Sequence, residues 1–166
     1  MTEPVSREFK IPNETSRLAE VREAVREVVA EAGFPEGELN RLTLAVDESV
    51  TNVMEHAYED DLEGELFIEI SLTSSASEFV ACICDRGKAF DPTHVPAPNL
   101  SSHVEEGRRH GLGIFLVRRI MDEVSYTSDP DGRNELKLTK RASAEEDAEG
   151  AGAAAAGEDK PSGQAN

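Results

Sequence analysis

Apolar positions recur every second residue in some stretches of the chain and every third or fourth in others, which separates strands from helices. "VSREFKI" alternates Val5, Arg7, Phe9 and Ile11 and predicts a first strand ending at Pro12. From about Thr15 to Ala32, Leu18, Val21, Val25, Val28 and Val29 keep helical spacing, and "GFPEG" stops the helix. A second helix is predicted from about Glu36 to Tyr58, with Leu42, Val46, Val50 and Val53 on its apolar side. "ELFIEISL" alternates Leu66, Ile68, Ile70 and Leu72, "FVACICD" is apolar on both faces, and the polar "TSSASE" between them predicts a hairpin.

A segment without period follows from Arg86 to His110, carrying Pro92, Pro96, Pro98 and Gly107; aperiodic loops of this length are usually functional or mobile, which makes it a lid candidate. "GLGIFLVRRIMDEV" starts with glycines and continues as a helix, with Leu112, Phe115, Leu116 and Ile120 predicted to face inward. "DPDG" then separates "VSYTS" from "ELKLT" as a terminal hairpin. The order β α α β β α β β predicts an α+β fold, a two-layer sandwich of one mixed, mostly antiparallel sheet with helices on one face.

From Arg141 the sequence runs "RASAEEDAEGAGAAAAGEDKPSGQAN", with no aromatic or branched aliphatic residue to offset the entropy of ordering. Residues 1–140 are therefore expected to form the domain and 141–166 a disordered, solvating tail. A chain of 166 residues buries enough surface to fold without staples.

Charge narrows the function. Thirty-four acidic against seventeen basic residues give a net charge of −17, which disfavours nucleic acid phosphate and anionic bilayers and leaves a protein or small ligand as the expected partner. No window reaches a membrane span and the N-terminus has no apolar leader, so a cytoplasmic protein is expected. Cys82 and Cys84, two apart on a strand, share a face and are expected to be buried structural cysteines rather than a disulfide or a metal pair.

Three constellations could carry chemistry. In "LTLAVDESVTNVMEHAY", Glu48, Asn52 and His56 stand four apart, so successive members turn by about 40° and form a slanting row. Such a row is either a solvated stripe or a metal or phosphate site, the carboxylate handling a proton and the amide oxygen binding a hard cation. In "ICDRGKAFDP", Asp85 closes an apolar strand and can accept from a ligand's exocyclic amine, while Gly87 admits a flat ring; an ordinary Asp-Gly turn is the alternative. In "HGLGIFL", Gly111 and Gly113 open a helix whose free N–H groups suit phosphate.

Together and in this order, the three resemble the N, G1 and G2 boxes of the GHKL ATP-binding fold of gyrase, Hsp90, histidine kinases and MutL. More narrowly the chain resembles the anti-sigma factor serine/threonine-protein kinases. Their first box, approximately "ExxTNxxxHxY", is met at Glu48, Thr51, Asn52, His56 and Tyr58, and "MDEV" at Met121 to Val124; the likeness spans Phe9 to about Lys140. The resemblance implies that Asn52 binds Mg²⁺ on the phosphates of ATP, that Asp85 takes the adenine amine, and that Gly87 packs under the ring. It implies Glu48 as the group that orients or deprotonates the attacking hydroxyl, with Gly111 and Gly113 at the phosphates. Arg108 or Arg109 would neutralise the transferring phosphoryl group, and Phe90 and Leu112 complete the nucleotide-binding set. His56 would position its neighbours. Two positions depart: Ala89 replaces the second glycine of the wider DxGxG box, although Asp85, Gly87, Phe90 and Asp91 satisfy the "DxGxxFD" form, and Asn134 stands where many relatives have an adenine-holding Thr.

The implied function is an ATP-dependent protein-serine kinase that sequesters a sigma factor and phosphorylates an anti-anti-sigma (STAS-type) antagonist. The alternative is a nucleotide-gated switch that transfers no phosphate; a gyrase-like ATPase or histidine kinase fragment ranks last, because a domain ending near Lys140 leaves no room for their extra domains. Members of this branch often form homodimers, here through the first strand and helix.

Overall fold

The computed structural model describes residues 3–57, 66–94, 96 and 112–143. Among them the chain order is β1 (Val5–Pro12), α1 (Leu18–Ala32), α2 (Leu39–His56), β2 (Phe67–Ser74), β3 (Glu78–Asp85), α3 (Leu112–Ile120), β4 (Glu123–Ser128) and β5 (Asn134–Arg141). Single 3₁₀ turns, Thr15–Arg17 and Glu36–Glu38, lead into α1 and α2. α1 stops because Gly33 adopts φ 72°, and the N–H groups of Gly33 and Phe34 bond back to Ala30 O and Val29 O at 3.3 and 3.2 Å. Only glycine takes this left-handed cap without strain.

The strands form one sheet in the order β1-β2-β3-β5-β4. Every pairing is antiparallel, which corrects the expected mixed sheet. β4 does run parallel to β3, but β5 inserts between them, so no parallel ladder forms. α1 covers β1 and β2, α2 lies on β3 and between α1 and α3, and all three helices occupy one face. The core between the layers joins Val21, Val25 and Val28 of α1 and Leu42, Val46 and Val50 of α2 to Ile68, Ile70, Leu72, Phe79, Ile83 and Leu138 of the sheet. Full burial of each aliphatic side chain is worth about 1.5–3 kcal/mol, which fixes the register as well as the layer spacing.

Two expectations about faces fail. On α3 the buried residues are Ile114 and Val117, followed by Met121, whereas Leu116 is 39 % exposed. "LGIFLV" is apolar almost all round, so the period over nine residues cannot choose a face; packing against α2 does. The cysteines do share a face, but it is the sheet face turned away from the helices: Cys84 is buried and Cys82 half-buried, both as free thiols. There Cys84 is covered by polar groups, with Arg133 Nη2 3.3 Å from its sulfur and Glu135 Oε2 accepting its S–H at 3.6 Å. β3 therefore has one core face and one half-exposed face. No helix among the described residues is long and apolar enough to cross a membrane.

Candidate functional site

α2 turns its apolar side to the core, which leaves Glu48, Asn52 and His56 along its flank, half-buried rather than solvated. Its three hydroxyls are spent inside the helix: Thr43 Oγ1 donates to Leu39 O at 2.8 Å, Ser49 Oγ to Ala45 O at 2.7 Å and Thr51 Oγ1 to Asp47 O at 2.8 Å. The carboxylate of Glu48 reaches across to α3 and lies where a Cβ on Gly113 would stand. A side chain at that position would displace it, so Gly113 makes room for Glu48. Burial raises the proton affinity of Glu48, and the negative charges of Asp47 and Glu55 raise it further. A carboxylate so placed is tuned toward accepting a proton.

Asp85, 6 % exposed at the end of β3, is held by two donors on one oxygen: Gly87 N–H and Asn134 Nδ2, each 2.9 Å from Oδ1. Burial pushes its proton affinity up, and these two bonds oppose the shift. Gly87 has a further constraint besides the flat ring expected from sequence. A Cβ there would meet the end of α2, with Ala57 C and Cβ at 2.8 Å, and the next N–H, of Lys88, donates to Ala57 O at 2.9 Å. The turn after β3 is thereby clamped to the helix that carries Asn52.

Phe90 follows the clamp and stacks on His56 with centroids 4.3 Å apart and planes at 17°. Its N–H donates to Tyr126 Oη at 3.0 Å, so β4 holds the segment from the other side. Asn52, His56, Asp85, Phe90 and Tyr126 line one cavity of about 280 Å³. Larger cavities, about 900 and 570 Å³, lie on the opposite sheet face around Arg133, Glu69 and Cys84. In them Arg133 and Lys10 are paired with Glu69 at 3.2 and 3.4 Å, and neither Glu48 nor Asn52 lines them. The small cavity, not the large ones, has the chemistry.

The structure thus brings Asn52, Asp85 and Phe90 to one cavity, puts Gly87 on its wall and sets Gly113 against Glu48. Leu112 is half-buried at the start of α3. Arg108, Arg109, Gly111 and Tyr58 lie outside the described residues. Tyr126 and Ser128 were missed by sequence reasoning, because their place depends on the β4–β5 register, which pairs Ser128 with Asn134. Among the described residues no cluster of three His, Cys, Asp or Glu side chains could hold a metal alone. A single amide oxygen, from Asn52, suits Mg²⁺, which keeps several waters and takes its remaining ligands from phosphates.

Residues 11–140 match the family described as the histidine kinase-like ATPase domain. The chain belongs to this family. Among similar curated proteins is the serine-protein kinase RsbW of Bacillus velezensis, 31% identical over 126 residues, which are 74% of this chain and 78% of that protein. The serine-protein kinase RsbW of Bacillus cereus (strain AH187) is 29% identical over 126 residues, 74% of this chain and 77% of its own. Among solved structures, the SiaB–SiaC complex from Pseudomonas aeruginosa superposes with a TM-score of 0.56 at 17% identity, over 81% of this chain and 89% of that one. The RsbU and RsbW domains of a Mycobacterium tuberculosis protein give 0.54 at 20%, over 84% of this chain and 32% of that one. At such identities the two structures establish the shared fold. The GHKL resemblance, with its five-stranded sheet and helices on one face, holds.

Proposed function

We propose that the chain is an ATP-dependent protein-serine kinase that sequesters a sigma factor and phosphorylates an anti-anti-sigma antagonist of the STAS type, in the cytoplasm. The observation that carries this reading is Glu48: a half-buried carboxylate with raised proton affinity, one helical turn before Asn52 and set against α3 by Gly113. Similar curated proteins include serine-protein kinases, which supports a serine hydroxyl as the acceptor.

Phosphoryl transfer asks the protein for positioning and charge stabilisation more than for covalent chemistry. Asp85 accepts the base amine, and Phe90 moves aside to receive the ring. The α3 N-terminus, with Gly111 and Gly113, faces the phosphates, and Arg108 or Arg109 offsets charge on the transferred group. Asn52 would hold Mg²⁺, which would supply charge neutralisation at the phosphates. Glu48 orients the incoming serine hydroxyl and takes its proton. Leu44 of α2 and Leu116 of α3, both exposed, are apolar contacts available to a protein substrate. β1 and the outer side of α1 are the surface for a second copy.

Incubation with γ-labelled ATP, Mg²⁺ and a STAS-type partner tests the proposal. Label should pass to a partner serine with the wild type and fall by about 10²–10⁴ in rate with Glu48→Gln, while ADP affinity is kept. Nucleotide binding without transfer to any such partner would instead support the gated switch.

A further inference from the structure

We propose that Asn134 is the positioning residue for base recognition: it ties down one oxygen of Asp85 so that the other is presented to the exocyclic amine of an adenine nucleotide. The inference rests on the nucleotide reading of the site and assigns Asn134 a role other than contact with the base.

Asn134 opens β5 directly opposite Asp85 of β3, and on its other side it is paired with Ser128 of β4. It is 1 % exposed. Its Nδ2 donates to Asp85 Oδ1 at 2.9 Å and to Gly87 O at 3.0 Å, and its Oδ1 accepts from Ser128 Oγ at 2.8 Å. An amide nitrogen has two protons, and both are used. The orientation of the amide is also fixed. A carboxylate and a carbonyl can only accept, so the nitrogen must face Asp85 and Gly87, and the hydroxyl of Ser128 donates to the remaining oxygen.

Among the described residues, both bonds that hold the Asp85 carboxylate fall on Oδ1. Oδ2 is then the oxygen left for a ligand in the cavity that Asp85 shares with Asn52, His56 and Phe90. The same amide pins the carbonyl of Gly87, whose turn is clamped to α2 through Ala57. A lone hydroxyl in its place could not bridge Asp85, Gly87 and Ser128 at once. Ser128 on the edge strand acts one step further back, by preventing the amide from flipping.

ADP and inosine diphosphate separate this role from a general structural one, since they share phosphates and sugar but differ in having an amine or a carbonyl where Asp85 would bind. Calorimetric titration with Mg²⁺ should show the wild type preferring ADP by about 10- to 100-fold, the worth of a hydrogen bond to a charged group. Asn134→Ala should reduce that preference to within a few-fold by weakening ADP alone, and Ser128→Ala should reduce it partly. Ser128 is exposed, so its variant keeps the test available if Asn134→Ala unfolds. An unchanged preference in both variants, or equal weakening of the two nucleotides, would overturn the inference. A wild type that binds neither nucleotide would overturn the nucleotide reading itself, and this inference with it.

Discussion

Glu48 carries the most consequence per atom. Its proton affinity is raised above the ordinary 4.5 by burial and by neighbouring negative charge, so the folded state favours the protonated form. The stability this gives is fully present below about pH 4.5 and is lost as pH rises through the raised folded value. At neutral pH the ionised carboxylate therefore costs stability, by under about 1 kcal/mol because solvent screens its exposed side. Glu48→Gln should melt higher than the wild type at pH 7.5, with the gap closing toward pH 4; a variant that melts lower at pH 7.5 would contradict the assigned environment. A second residue gives an independent check of the opposite face. Burial, partly opposed by Arg133, pushes the Cys84 thiol up to about 11 against an ordinary 9.0. At pH 8 its alkylation by iodoacetamide should run roughly a hundredfold slower than that of a free thiol and become ordinary in urea. Equal rates in the folded and unfolded protein would refute the burial.

Elements were legible where one period ruled. α1 has valines at a clean helical spacing ended by a glycine, and β2 alternates strictly, so both were readable to within a few residues. α3 was not, since its short apolar run offers two faces and only contact with α2 decides between them. Ile114→Ala, on the buried side, should cost about 2–5 kcal/mol in denaturant unfolding. Leu116→Ala, on the exposed side, should cost under about 1 kcal/mol. Comparable losses at the two positions would reverse the face. The site was legible in the same uneven way. Glu48, Asn52 and Asp85 announce themselves by chemistry and spacing; the structure puts Asn52 and Asp85 on one cavity and Glu48 against Gly113. The further constraint on Gly87 was not legible, because it lies in a helix end thirty residues away in sequence, Ala57. Nor were the roles of Tyr126 and Ser128, which rest on strand register alone.

At the scale of the molecule, a five-stranded antiparallel sheet backs α2 and lets three segments far apart in sequence meet beyond the end of its central strand: the flank of α2, the turn after β3 and the start of α3. β4 and β5 close the cavity from behind through Tyr126 and Asn134. The sheet and its core set the distances, and the family match over residues 11–140 says which chemistry such an assembly supports. The central claim is that this assembly binds a Mg²⁺-nucleotide through Asn52 and Asp85. Thermal unfolding with ADP, with and without Mg²⁺, tests it most directly in the wild type beside Asn52→Ala. A ligand at about a hundred times its dissociation constant adds roughly 2.7 kcal/mol, which for a domain of this size raises the midpoint by roughly 5 to 10 °C. The account predicts a rise of that order in the wild type that requires Mg²⁺ and is lost in Asn52→Ala. No rise at millimolar ADP, or an equal rise in the variant, would contradict it.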